Sequence, residues 1–223
     1  MARWNGPRTR IQLKLAIQRS RMLQEKKEAL AKRSRMEIAE LVERGKIESA
    51  RVKTESLIMD DVHVELLELL ELYCETLYAR FALMELKSSG PDEAIREPLV
   101  ALIHAAHRTE LQELHVLQDM LCARYGADFS QEALENQDNC VSERVTRKLA
   151  FHMPSSELVD AYLSEICKTY KVPFPSSIDA TATDTSEPEL PPESDPIPAA
   201  AAEARPQSEW DHLMARFQAL KRP

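Results

Sequence analysis

Bond-making chemistry would fall first to the six histidines and four cysteines, so their spacing is the place to begin. His104 and His107 stand three residues apart, which would put both on one helical face. A catalytic zinc or di-iron site would also need an HExxH or paired ExxH arrangement to supply carboxylates, and neither occurs. His104 and His107 therefore read as partly exposed structural residues, and His63, His115, His152 and His212 are isolated in the chain. Cys74, Cys122, Cys140 and Cys167 form no CxxC pair, so they read as reduced thiols that mostly pack in a core, in a cytosolic setting. Nucleotide chemistry lacks its loop: there is no GxxxxGK[ST] and no GxGxxG, and the chain holds only 4 glycines. Serines and aspartates abound only where nothing could orient a triad. No catalytic residue, metal or cofactor is assigned.

Two other patterns suit recognition. Arg10, Lys14, Arg21 and Lys32 step by four, seven and eleven, within about 60° of one another on a 3.6-residue helix. They form a candidate contact for an anionic surface, lipid before nucleic acid, since no aromatic interleaving or nucleic-acid motif accompanies them. A solvated face is the plainer reading. At the other end, Trp210, Leu213, Phe217 and Leu220 step by three, four and three, after a Ser208/Asp211 capping pattern and before Lys221 and Arg222. A short helix with one apolar stripe is the form used in helix-in-groove recognition.

The elements that carry these patterns are helical. The chain has 43% hydrophobic and 30% charged residues but only 5% aromatics, a composition poor for strands. From Pro7 to Arg44 no proline or glycine interrupts good helix formers, which predicts a rod of about 57 Å ended at Gly45. A second long helix is expected from Glu48 to Lys87. On it Leu66, Leu70, Tyr73, Leu77, Phe81 and Met84 make a packing seam, broadened by Leu67, Leu69 and Leu72. The two should close as an antiparallel hairpin. Shorter helices are expected over 92–107, with Pro98 in its first turns or at a kink, over 110–125, and over 155–170, where Leu158, Tyr162 and Ile166 share a face. Residues 130–139 read as a short helix and a loop.

Charge divides the chain. Residues 1–53 carry 15 basic and 6 acidic side chains, a net of +9, and the remainder carries −17. Past Val172 eight of the 13 prolines fall between Pro173 and Ser208 among acids, a linker too polar to fold. The expected organisation is a helical domain at 1–172, a Pro- and acid-rich linker at 173–207 and a motif helix at 208–223. No stretch has the length of a membrane span.

These segments also carry a resemblance. QEKKEALAKRSRMEIAELVERGK (24–46), LELYCETLYARF (70–81) and ELVDAYLSEI (157–166) resemble the Ist family (increased sodium tolerance), ESCRT-III-like regulators of multivesicular-body sorting, over about residues 8–172. The tail, Leu213, Arg216, Phe217, Leu220 and Lys221, looks like the MIT-interacting motif of ESCRT-III proteins, and Leu190 to Pro198 is loosely similar to its extended variant. The resemblance implies an all-α, five-helix ESCRT-III-like core and a non-enzymatic adaptor. It also implies partners: charged multivesicular body proteins, the MIT domain of the vacuolar-protein-sorting AAA ATPase, an anionic membrane surface and further copies of itself, with no nucleic acid. Leu213, Phe217 and Leu220 would fill the MIT groove beside Trp210, and Arg216 and Lys221 would pair with its acidic rim. The location implied is cytoplasmic with recruitment to endosomal membranes. A peripheral coat protein acting through the basic first helix is the alternative.

Overall fold

A computed structural model describes residues 4–86, 90–150 and 153–173, and every regular element among them is a helix. Helix α1 (Gly6–Glu43) starts at an N-cap: Asn5 is extended, and its Oδ1 accepts the Arg8 N–H at 3.0 Å while Pro7 sits in the first turn. It stops before Gly45, whose φ of +74° is the left-handed geometry that a side chain would strain. The chain then reverses into α2 (Ile47–Ala79). Cross-hairpin pairs fix the register. Ser20 donates to the Leu67 carbonyl at 3.1 Å, Lys27 pairs with Asp60 at 3.2 Å, and Lys53 pairs with Glu37. Partner numbers on α2 fall as those on α1 rise, so the hairpin is antiparallel, as expected.

The second long helix does not reach Lys87. It breaks at Arg80, and a short α3 (Phe81–Glu85) follows. The reason lies on α4 (Glu93–Ala106), capped by Asp92 and containing Pro98. Proline has no N–H, so the Ala94 carbonyl four residues earlier lacks its helical donor. Arg80 supplies one, its Nη1 donating to Ala94 O at 2.6 Å. The break turns Phe81 and Met84 into the core, where both are buried. The seam residues Leu66, Leu70, Tyr73 and Leu77 are buried too, with Leu67 and Leu69, but Leu72 is not. It is 52% exposed, so the apolar surface of α2 is narrower than its leucines suggest.

Helix α5 (Gln112–Tyr125) ends at Gly126, φ +92°. Next come α6 (Ala127–Glu135), a 3-10 turn over Gln137–Asn139, α7 (Glu143–Leu149) and α8 (Ser156–Tyr170). Helix α7 has no counterpart among the expected elements, because a two-turn helix has too few residues to display a period. Its Val145 is nevertheless wholly buried. On α8 the buried face is Val159, Tyr162, Leu163, Ile166 and Cys167, and Leu158 lies at its half-buried margin. The longer helices α1, α2, α4, α5 and α8 make the five-helix frame, and the short ones link them.

Two apolar regions result. The larger gathers Leu13 and Ala16 of α1, the seam of α2 and α3, and the inner faces of α4 and α5. The smaller lies at the hairpin turn, where Ile38 and Val42 of α1 and Leu57 and Ile58 of α2 are buried and α8 packs on both helices. Arg51 ties α8 there through Asp160 at 3.0 Å. Between the two regions sits a buried ion pair, Arg35 with Asp61 at 3.7 Å, each under a tenth exposed. Removing one member of such a pair strands the other charge out of water. Asp61→Ala should therefore lower unfolding stability by about 3–5 kcal/mol in urea titrations, while Arg35→Met with Asp61→Leu recovers most of the loss. An unchanged midpoint in Asp61→Ala would show the pair to be energetically idle.

Candidate functional site

The tail residues Trp210, Leu213, Arg216, Phe217, Leu220 and Lys221, the Leu190 to Pro198 segment and the linker all lie outside the described residues. The basic stripe lies inside them. The Arg10 guanidinium stands 5.2 Å from the centre of the Tyr78 ring and 5.8 Å from that of Phe81, and the Lys14 ammonium is 5.3 Å from Tyr78. Arg21 bonds Glu71 and Glu75 together. The structure thus brings Arg10, Lys14 and Arg21 to one edge of α1, against the end of α2, and leaves Lys32 exposed farther along the rod.

An open groove of about 470 Å³ lies along this edge, lined by Lys14, Arg21 and Tyr78, by Ile17 and Met22, and by Gln18 and Glu25. Lys14 is the main reason that the Tyr78 phenol titrates below its usual range; Arg10 adds to the effect, and burial opposes it. Cations stacked on an aromatic face beside apolar side chains favour an acidic or amphipathic ligand. Sequence could not show that Arg21 is already engaged, because its carboxylates lie 50 and 54 residues away.

His104 and His107 do not share a site. His107 is exposed and its ring packs on His115 at 5.1 Å. His104 is buried, which departs from the partly exposed reading, and its Nδ1 lies 3.1 and 3.2 Å from the Ala133 and Leu134 carbonyls. Carbonyls only accept, so Nδ1 carries the proton and Nε2 accepts from Arg108. The side chain is a link between α4 and α6. Among the described residues no three His, Cys, Asp or Glu side chains gather as a metal-binding group. All four cysteines are free thiols. Cys74 and Cys167 are core packers, Cys122 and Cys140 are half-buried, and burial pushes the thiols of Cys74, Cys140 and Cys167 up, away from reactive thiolate. None of the described helices is long and apolar enough to cross a membrane.

A long helical hairpin backed by shorter helices defines an all-helical domain of the ESCRT-III-like kind. Residues 10–173 match the Ist1 family, described as "Regulator of Vps4 activity in the MVB pathway", and the chain belongs to that family. It is 39% identical over 170 residues to vacuolar protein sorting-associated protein IST1 of Saccharomyces cerevisiae, covering 73% of this chain and 57% of that protein. It is 30% identical over 174 residues to an IST1-like protein of Dictyostelium discoideum, covering 76% and 46%. The Schizosaccharomyces pombe protein ist1 is 34% identical over 164 residues, covering 73% and 60%. The matched region is thus under two thirds of each relative's length. Among solved structures, the S. cerevisiae Ist1 N-terminal domain in complex with a Did2 MIM motif superposes with a TM-score of 0.72 at 34% identity, over 83% of this chain and all of that one.

The histidines give the domain a pH dependence. Burial first, then Arg108, holds His104 below its ordinary value, and burial first, then Lys27, does the same for His63. The unfolded chain therefore takes up protons first, and stability falls as pH drops through and below about 6.5. His104→Asn keeps a donor for the Ala133 carbonyl and removes one titrating group. Urea midpoints taken across this window should show a shallower slope for the variant, and equal slopes would remove His104 from the effect.

Proposed function

We propose that the chain is a non-enzymatic adaptor and regulator in ESCRT-III-dependent endosomal sorting, cytoplasmic and recruited to endosomal membranes. The helical domain at 1–172 binds ESCRT-III subunits of the charged multivesicular body type. The segment at 208–223 binds MIT domains, that of the vacuolar-protein-sorting AAA ATPase among them. The acidic, proline-rich 173–207 is the tether between the two. The observation that carries this reading is the shared fold with an Ist1 domain that was captured holding a MIM motif. Family membership over residues 10–173 supports the regulatory role.

In the tail, Leu213, Phe217 and Leu220 fill the apolar groove of a three-helix MIT bundle with Trp210 at the entry, while Arg216 and Lys221 meet acidic rim residues. Three large side chains at about 1.5–3 kcal/mol each, less association and ordering costs, correspond to weak or moderate affinity. Weak contacts suit recruitment by an array of many copies, whether of ESCRT-III subunits or of this chain itself. A second reading, a peripheral coat protein on anionic lipid, draws on Arg10, Lys14, Arg21 and Lys32. Arg21 brings least to it, being already neutralised by Glu71 and Glu75.

Fluorescence polarisation of a labelled peptide from Arg205 to Pro223 against the ATPase's MIT domain tests the adaptor reading. Binding should be micromolar and fall at least roughly tenfold, about 1.4 kcal/mol, in Leu220→Asp. No binding to any MIT domain would take the tail out of the mechanism. Sedimentation with anionic liposomes that is lost on reversing Lys14 and Lys32 would then favour the coat.

A further inference from the structure

Helix α6 is lightly anchored. Of its residues only Ser130 and Ala133 are buried, and no side chain caps its start. The turn after it holds Asn136, Asp138 and Asn139 in the left-handed region, at φ of 53°, 53° and 55°, a geometry that Asn and Asp tolerate at some cost. Asn136 Oδ1 accepts the Val141 N–H at 2.8 Å and closes this turn on itself, so helix and turn form one unit. The last carbonyls of α6 are met by side chains: Cys140 donates to Glu132 O at 3.5 Å, and His104 Nδ1 donates to Ala133 O and Leu134 O. Arg96 also pairs with Glu132 at 2.9 Å, but with side chains 45% and 35% accessible the pair holds weakly. Helix α4, on which α6 packs, is firm by contrast, since every residue from Pro98 to Ala106 is buried.

His104 lies at this joint and is 5% exposed. Water reaches the ring either by unfolding α4, which breaks the core, or by lifting α6, which uncovers few side chains and costs less. The neutral ring is satisfied where it is, with Nδ1–H on the carbonyls and Nε2 accepting from Arg108. A second proton would set an N–H against the guanidinium and hold a charge out of water. Both penalties vanish once the ring is wet and Arg108, itself exposed, turns away. The charged and titratable groups of the surrounding elements are engaged elsewhere. Glu132 of α6 is taken by Arg96 and Glu135 by Gln131 and Gln137, while Lys148 of α7 pairs with Glu65. His115 of α5 packs on His107, and Tyr73 of α2 bonds Glu97. We propose that α6 with the turn to Val141 is a flap that lifts from α4 as one unit while the hairpin stays closed, and that protonation of His104 gates it. The flap goes beyond the adaptor reading and does not depend on it.

Native-state hydrogen exchange on the full chain tests this. At pH 7.5 the amides of residues 128–139 should be at least roughly tenfold less protected than those of residues 100–106, the mark of a separate opening. Between pH 7.5 and 5.5 the protection of 128–139, corrected for intrinsic exchange, should fall by up to about tenfold, since a wet ring titrates near 6.5 and a covered one lower. His104→Asn keeps a donor for the Ala133 carbonyl and should flatten this pH dependence while α6 remains the less protected helix. Arg108→Gln stands at an exposed position, and its amide can serve either protonation state of the ring. It should make the dependence shallower without disturbing the fold. The proposal is overturned if α6 is protected as well as α4, if its protection does not change with pH, or if either variant keeps the full dependence.

Discussion

The hairpin register is the constraint from which the other contacts follow, and buried polar groups hold it. Apolar side chains along two long helices would tolerate a slide of one turn, since leucine replaces leucine along much of α2. Ser20 bonded to the Leu67 carbonyl and Arg35 against Asp61 do not tolerate it. Sliding either pair apart would leave a buried donor or charge unmatched, at a cost that apolar contacts elsewhere could not offset. With the register fixed, Lys27 reaches both Asp60 across the hairpin and Glu110 in the segment before α5, and α8 finds Asp160 opposite Arg51. The ion pair thus separates the two apolar regions and positions each relative to the other.

A second coupling joins the hairpin's open end to the remaining helices. Pro98 frees a carbonyl on α4, Arg80 takes it, and α2 breaks where the arginine must turn. Arg124 of α5 then bonds the carbonyls of Met84 and Leu86 at the end of α3, with its guanidinium over the Trp4 ring. Two arginines therefore close the free end of the bundle, Arg80 by donating to the carbonyl that Pro98 frees and Arg124 by donating to carbonyls that the end of α3 leaves open. Its opposite end is closed by apolar contact with α8.

Reading the sequence recovered what is local and periodic. The hairpin, the seam from Leu66 to Met84 and the span of α8 are written in adjacent residues. Three features were not, each for the same reason. The break at Arg80 depends on a carbonyl on the next helix, the burial of Arg35 depends on Asp61, and the neutralisation of Arg21 depends on Glu71 and Glu75. A charge run looks solvated until its partners are placed. The candidate site divided similarly: Arg10, Lys14 and Arg21 do come together, but the aromatic rings beneath two of them could not be read from their spacing.

The same pairing explains which surface is left for recognition. The first 53 residues carry a net +9, yet much of that charge is turned inward or sideways. Arg21, Lys27 and Arg35 meet acids of α2, and Lys53 meets Glu37 of α1. Folding spends the basic side chains that face the hairpin on register, and those on the outer side are held only by exposed, weak contacts.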